Sequence, residues 1–185
     1  MDHYKSWSDV RKKLDSLRCE KLKDRIDYFL THYNKVHDAY GRAAIRLDGK
    51  DIVCFSWINM YIQEEDLSEQ IKNNGYWDYN DPELVAKWAQ EGTYCEGDFL
   101  DAALIFLNLP IDEALNHESY LIRLFAILDR RVGKRTLKRI VDEKVYLEYP
   151  KWIRQFYEVR LSAEGLVHNN LEEKICKEIH LEDRL

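Results

Sequence analysis

Apolar residues recur every three to four positions near the start of the chain, where Val10, Leu14 and Leu17 follow a cap-like run of Ser6, Ser8 and Asp9. This spacing predicts a first helix near 8–22. The pattern then changes. "DRIDYFLTHYNKV" is rich in β-branched and aromatic residues, and "RAAIRL" and "IVCFSWI" flank "DGKD", a turn signal because Gly49 tolerates positive φ. Three antiparallel strands are expected, near 25–35, 42–47 and 51–58.

Strand signals stop near residue 62. "DPELVAKWAQEG" has an Asp cap, Pro82 at the first helical position and Gly92 past the end, the asymmetry of a short helix. In "EGDFLDAALIFLNL" one helical face carries Phe99, Ala102, Ala103, Phe106 and Leu107, and "PIDEALNH" starts another short helix at a proline. "SYLIRLFAILDRR" places Leu121, Leu124, Phe125 and Leu128 at helical spacing and stops before Gly133, after which "KRTLKRIVDE" resumes. Pro150 and Gly165 bracket a last strong helix with Trp152, Phe156 and Val159 on one side; "NNLEEKICKEIHLEDRL" is a tail helix or a frayed end. The expected fold is α+β: an N-terminal helix and small three-stranded antiparallel sheet, followed by a mainly helical array. All of it reads as a single domain over 1–185, with a helix-plus-meander subregion at 1–60, a helical subregion at 61–168 and the tail at 169–185.

Composition narrows the class. With 45% hydrophobic and 34% charged residues, the chain lies well inside globular territory. No apolar run approaches the roughly 20 residues needed to cross a bilayer, since "FLDAALIFLNLPI" is interrupted by Asp101, Asn108 and Pro110. Nor does the N-terminus show an apolar stretch followed by a small-residue cleavage site, so a cytoplasmic protein without membrane association is expected. Cys19, Cys54, Cys95 and Cys176 are widely spaced with no CxxC pair, which suggests reduced, mostly core thiols.

Chemistry-bearing motifs are sparse. His32 and His37 lie five apart with no HExxH or other compact ligand set, so no metal site is expected. There is no GxSxG, and no glycine-rich loop opens a helix. The expectation is a protein that is not an enzyme and needs no cofactor.

Charge is the informative signal. The net charge is −6, but residues 51–120 hold 15 acidic side chains and only two basic ones, Lys72 and Lys87, whereas residues 121–150 hold eight basic and four acidic ones. Helical surfaces usually mix signs, because opposite charges at i and i+4 are stabilising, and a single-sign field adds self-repulsion. Such a field suits a basic partner. Its candidate contacts begin with Glu64, Glu65, Asp66 and Glu69. They continue through a loop bearing Tyr76, Trp77, Asp78 and Tyr79, then Asp81 and Glu83, and finally Glu91, Glu96, Asp98 and Asp101. Tyr and Trp dominate interface hot spots, and surrounding acids steer a basic partner into place. A nuclease, whose groove is built to hold phosphates, is a basic partner of that kind.

The basic counterpart is "LDRRVGKRTLKRI", with Arg130, Arg131, Lys134, Arg135, Lys138 and Arg139. Gly133 separates two helices on this reading. Arg130 and Arg131 would then close the last turn of one, offsetting its carboxyl-end dipole, while the other four could bridge to acids of neighbouring helices. Their expected job is structural, and nucleic acid is not the favoured partner. The alternative is an RNA- or ribosome-associated protein that uses this 130–139 cluster.

The same stretch resembles a family of small bacterial proteins with an A-x-LDRRVGKR-x-L signature. The matching residues are Trp7, then His37, Asp38, Gly41 and Arg42, then the "L.LPI.EAL" element from Leu107 to Leu115, and Ala126 through Leu137. Members resemble immunity proteins of interbacterial toxin systems, including contact-dependent growth inhibition. That resemblance implies a cognate toxin as partner, often a nuclease; which toxin does not follow from the motif, and an RNase, specifically a tRNA-cleaving EndoU-type toxin, is a separate expectation. It brings no catalytic residues and leaves the oligomeric state open.

Overall fold

The structure, a computed structural model, describes residues 6–31, 41–57 and 81–167. Helix α1 spans Trp7–Leu17, capped by Ser6, whose hydroxyl accepts the Asp9 N–H. It buries Val10 and Leu14, the face anticipated from their spacing. The helix ends five residues earlier than expected, however, and Glu20–Leu22 form a separate 3₁₀ turn. The reason is tertiary. Cys19 donates its backbone N–H to the Leu128 carbonyl at 2.9 Å, and Arg130 donates to the Leu17 carbonyl at 2.7 Å, so a two-bond bridge to a distant segment pulls Arg18 out of helical geometry.

Strands β1 (Ile26–Thr31), β2 (Arg42–Leu47) and β3 (Lys50–Phe55) form an antiparallel meander in the order β1-β2-β3. Ile26 pairs with Leu47 and Ala43 with Phe55, with a register shift at Ile45/Arg46. The β2–β3 turn has φ of 52° at Asp48 and 83° at Gly49. Two successive positive φ values match the right-handed twist of paired strands. The continuation of the first strand expected over 32–35, the tail helix, His32, His37 and Cys176 lie outside the described residues.

The helical array comprises α2 (Pro82–Glu91), α3 (Glu96–Asn108), α4 (Ile111–Leu115), α5 (Tyr120–Leu128), α6 (Lys134–Glu143) and α7 (Lys151–Ala163), with a 3₁₀ turn at Val145–Glu148 between the last two. Helix α5 is the hub. Seven of its nine residues are buried, and α3, α4 and α7 all pack on it. A helix that is apolar nearly all round belongs in the interior. Phe125 shows why: its ring lies 5.2 Å from Phe99, 5.6 Å from Phe106 and 5.7 Å from Tyr28, joining α5 to α3 and to β1.

The same burial makes the protein sensitive to base. Desolvation pushes the phenols of Tyr28 and Tyr157 well above the ordinary tyrosine range, and lifts the Cys95 thiol to about 11. In the unfolded chain these groups ionise near their ordinary values, so the native state holds its protons more tightly as pH rises. Stability is therefore intact below pH ~9 and is lost through the alkaline range, by roughly 1.4 kcal/mol per pH unit for each of the two buried tyrosines above pH ~10. Urea midpoints at successive pH values should fall steeply above that point, and Tyr157→Phe should flatten the slope.

Candidate partner-binding cleft and the basic segment

The acidic residues expected to meet a partner divide into two groups. Glu64, Glu65, Asp66, Glu69, Tyr76, Trp77, Asp78 and Tyr79 lie outside the described residues. The remaining six fall on or beside α2 and α3, and half of them are engaged with backbone. Asp81 caps α2, its carboxylate accepting the N–H groups of Glu83 at 2.9 Å and Leu84 at 3.3 Å. Glu96 accepts the Trp57 N–H at 3.1 Å. Asp98 accepts the Cys95 N–H at 2.8 Å while the Cys95 thiol receives the Asp98 N–H, a capping box with sulfur in place of a hydroxyl. Part of the single-sign charge thus has a local origin. Among the described residues, α2, α3 and α4 begin in this stretch, and carboxylates stabilise exposed N–H groups and the positive end of the helix dipole.

Glu83, Glu91 and Asp101 are exposed and are not used as caps. Asp98 and Asp101, three residues apart, share one face of α3 and border a half-open cleft of about 340 Å³. Its walls include Trp57, Trp88 and Tyr94, and its far side is closed by His117, Leu121 and Ile122 from the α4–α5 connection and α5. Val85 and Ile105, also at its edge, keep 46% and 48% of their surface exposed. Sequence reasoning missed these two, and His117, because the cleft is assembled from three separate segments. His117 Nδ1 accepts the Ser119 N–H at 3.0 Å, which leaves Nε2 to carry the ring proton.

Among the described residues, the aromatics interleaved with these acids, Trp88 and Tyr94, pack inward. Trp88 is buried with Leu84, and its indole N–H finds no acceptor among the described residues. The Tyr94 ring packs on Phe55 at 5.8 Å and on Trp152 at 5.5 Å. Of the three described cysteines, all free, only Cys19 is fully buried; Cys54 and Cys95 are half-buried, so the expectation of mostly core thiols holds for one of them.

The basic segment departs from its expected layout. Helix α5 ends at Leu128, so Arg130 and Arg131 lie past its last turn. Here the acid of the segment does the organising. Asp129, 1% exposed, accepts the Arg131 backbone N–H at 2.6 Å and the Arg131 guanidinium at 2.8 Å. Arg131 also lies 5.6 Å from the Phe106 ring. From α7, Arg160, 3% exposed, donates to the carbonyls of Val132 at 3.1 Å and Asp129 at 3.5 Å and pairs with Glu164 at 3.4 Å. Apart from its i,i+4 pair with Glu164, Arg160 meets carbonyls that lie about thirty residues upstream. Among the described residues Arg130, Lys134, Arg135 and Lys138 form no ion pair, and Arg139 reaches only Glu143 on its own helix, at 3.9 Å. The expected bridges from α6 to acids of other helices are absent there because the cationic side chains occupy its solvent face, while Leu137 points inward.

Among the described residues, no group of three or more His, Cys, Asp or Glu side chains is placed to hold a metal ion, and no helix is long and apolar enough to cross a membrane. Fold and surface together define an α+β protein built on a three-stranded meander and a helical hub, with a one-sided acidic cleft. Residues 6–161 match the SF0329 protein family, and the chain belongs to that family. No curated protein and no solved structure matches it.

Proposed function

We propose that this chain is a cytoplasmic immunity protein that binds a cognate interbacterial toxin domain and is not itself an enzyme. The partner proposed is a basic nuclease of the RNase class, with a tRNA-cleaving EndoU-type domain as the specific candidate, in a contact-dependent inhibition system. One observation carries the reading: the exposed carboxylates of Asp98 and Asp101 and the exposed apolar side chains of Val85 and Ile105 border the same cleft. Apolar anchors beside charge of one sign are what a steered, water-excluding interface with a basic partner requires. The resemblance of the LDRRVGKR segment to immunity-protein families points the same way, although here that segment organises the fold.

The test is calorimetric titration of the chain with any toxin domain that an adjoining gene encodes. Nanomolar binding is expected, and Asp101→Lys, a change at the exposed cleft carboxylate that caps no helix, should weaken it at least tenfold while leaving the thermal midpoint in place. No binding to that domain removes the immunity reading; equal affinity of Asp101→Lys removes the cleft. A second reading has its own observation, the cations of α6 exposed without ion-pair partners in other elements. It makes the protein an RNA- or ribosome-associated one, and titrating tRNA in parallel separates the two. Phosphate contacts would show a steep loss of affinity with salt that the cleft variant does not alter.

A further inference from the structure

The cleft is also the right size and chemistry for a small molecule. Its volume of about 340 Å³ falls at the lower end of the roughly 300–1,000 Å³ typical of ligand pockets. Aromatic rings of Trp57, Trp88 and Tyr94 and aliphatic groups of Ile105 and Ile122 form most of its lining, and the carboxylates of Asp98 and Asp101 lie to one side. Asp98 is partly committed to the Cys95 N–H, whereas Asp101 has no hydrogen bond or ion pair among the described residues. Among the described residues, no Lys or Arg side chain lines the cleft. Aromatic faces attract cations through their quadrupoles, and a nearby unpaired carboxylate adds a charge-assisted hydrogen bond for a primary ammonium.

We infer that this cleft binds small amines that combine one aromatic or aliphatic body with a primary ammonium group, the body among the rings and the ammonium against Asp101 and Asp98. Binding of a free amine needs no toxin, so the amine site and the toxin interface stand or fall separately. The probe is phenethylamine, titrated into the intact chain and followed by the indole N–H resonances of Trp57 and Trp88. Hydrocinnamate and ethylbenzene serve as probes of matched size with opposite and no charge.

Saturable shifts at both indoles with a Kd below ~1 mM are expected for phenethylamine. Hydrocinnamate should bind at least tenfold more weakly. Asp101→Asn, an exposed and isosteric change, should weaken phenethylamine about tenfold and leave ethylbenzene unaffected. Equal affinity for phenethylamine and hydrocinnamate, shifts that spare both indoles, or an Asp101→Asn variant that binds phenethylamine as tightly as the parent would each overturn the assignment.

Discussion

Replacing Gly92 with alanine is expected to lower the unfolding free energy by about 3 kcal/mol, measured as a reduced urea midpoint at unchanged m-value. Two independent costs add. Gly92 sits at φ +77° as the left-handed C-cap of α2, a conformation that costs a β-carbon-bearing residue roughly 1–2 kcal/mol. A β-carbon there would also lie 2.6 Å from the Trp152 ring, which must shift. Overpacking of that kind typically costs roughly 1–3 kcal/mol. Nor can Trp152 move freely, because its indole N–H donates to the Ala89 carbonyl at 3.0 Å and its ring packs on Phe55 and Tyr94. Gly165, also at positive φ but with open space around it, supplies the control: Gly165→Ala should cost only the backbone part. Equal losses at the two positions would show that the Trp152 contact contributes nothing.

Asp129→Ala is expected to be comparably damaging, by about 3 kcal/mol. Deleting one partner of a buried ion pair commonly costs roughly 3–5 kcal/mol because the other charge is left stranded. The lower end applies here, since the Arg131 side chain is 36% exposed and can turn to water. The loss should also appear at a distance. The turn shaped by Asp129 presents the Leu128 carbonyl and Arg130 N–H to α1, and the Asp129 and Val132 carbonyls to Arg160 of α7. Hydrogen exchange at the Cys19 and Arg130 amides should therefore accelerate in Asp129→Ala more than in Arg131→Ala. If both amides stay as protected as in the parent, the turn is not what joins the three elements.

Elements whose signals are local were readable. Helix α2 begins and ends where Asp81-Pro82 and Gly92 say it should, because capping and left-handed termination involve only neighbouring residues. The β2–β3 hairpin follows from Asp48-Gly49 for the same reason. The length of α1 was not readable. Nothing between Leu17 and Leu22 breaks a helix by itself, and the break depends on hydrogen bonds to Leu128 and Arg130, far along the chain. The basic segment was misjudged similarly: counting cations draws attention to six residues, whereas the group that shapes the turn is the one buried acid among them.

Of the candidate surface, residue composition alone sets the charge. Fifteen acids and two bases over 51–120 make the stretch negative in any fold. It also contained an unread clue to their local work, since the Cys95–Asp98 spacing is that of a capping box, disguised because a thiol is an unusual cap. Which carboxylates remain available follows from the tertiary structure, because a cap is recognised by where its oxygen meets an N–H group. Only it could show the cleft, whose walls come from Trp57, from α2 and α3, and from the approach to α5. Residue order determines charge and helical period, which depend on neighbours along the chain; a concave, water-accessible site depends on how separate helices pack, and that exists only once the core around Phe125 has formed.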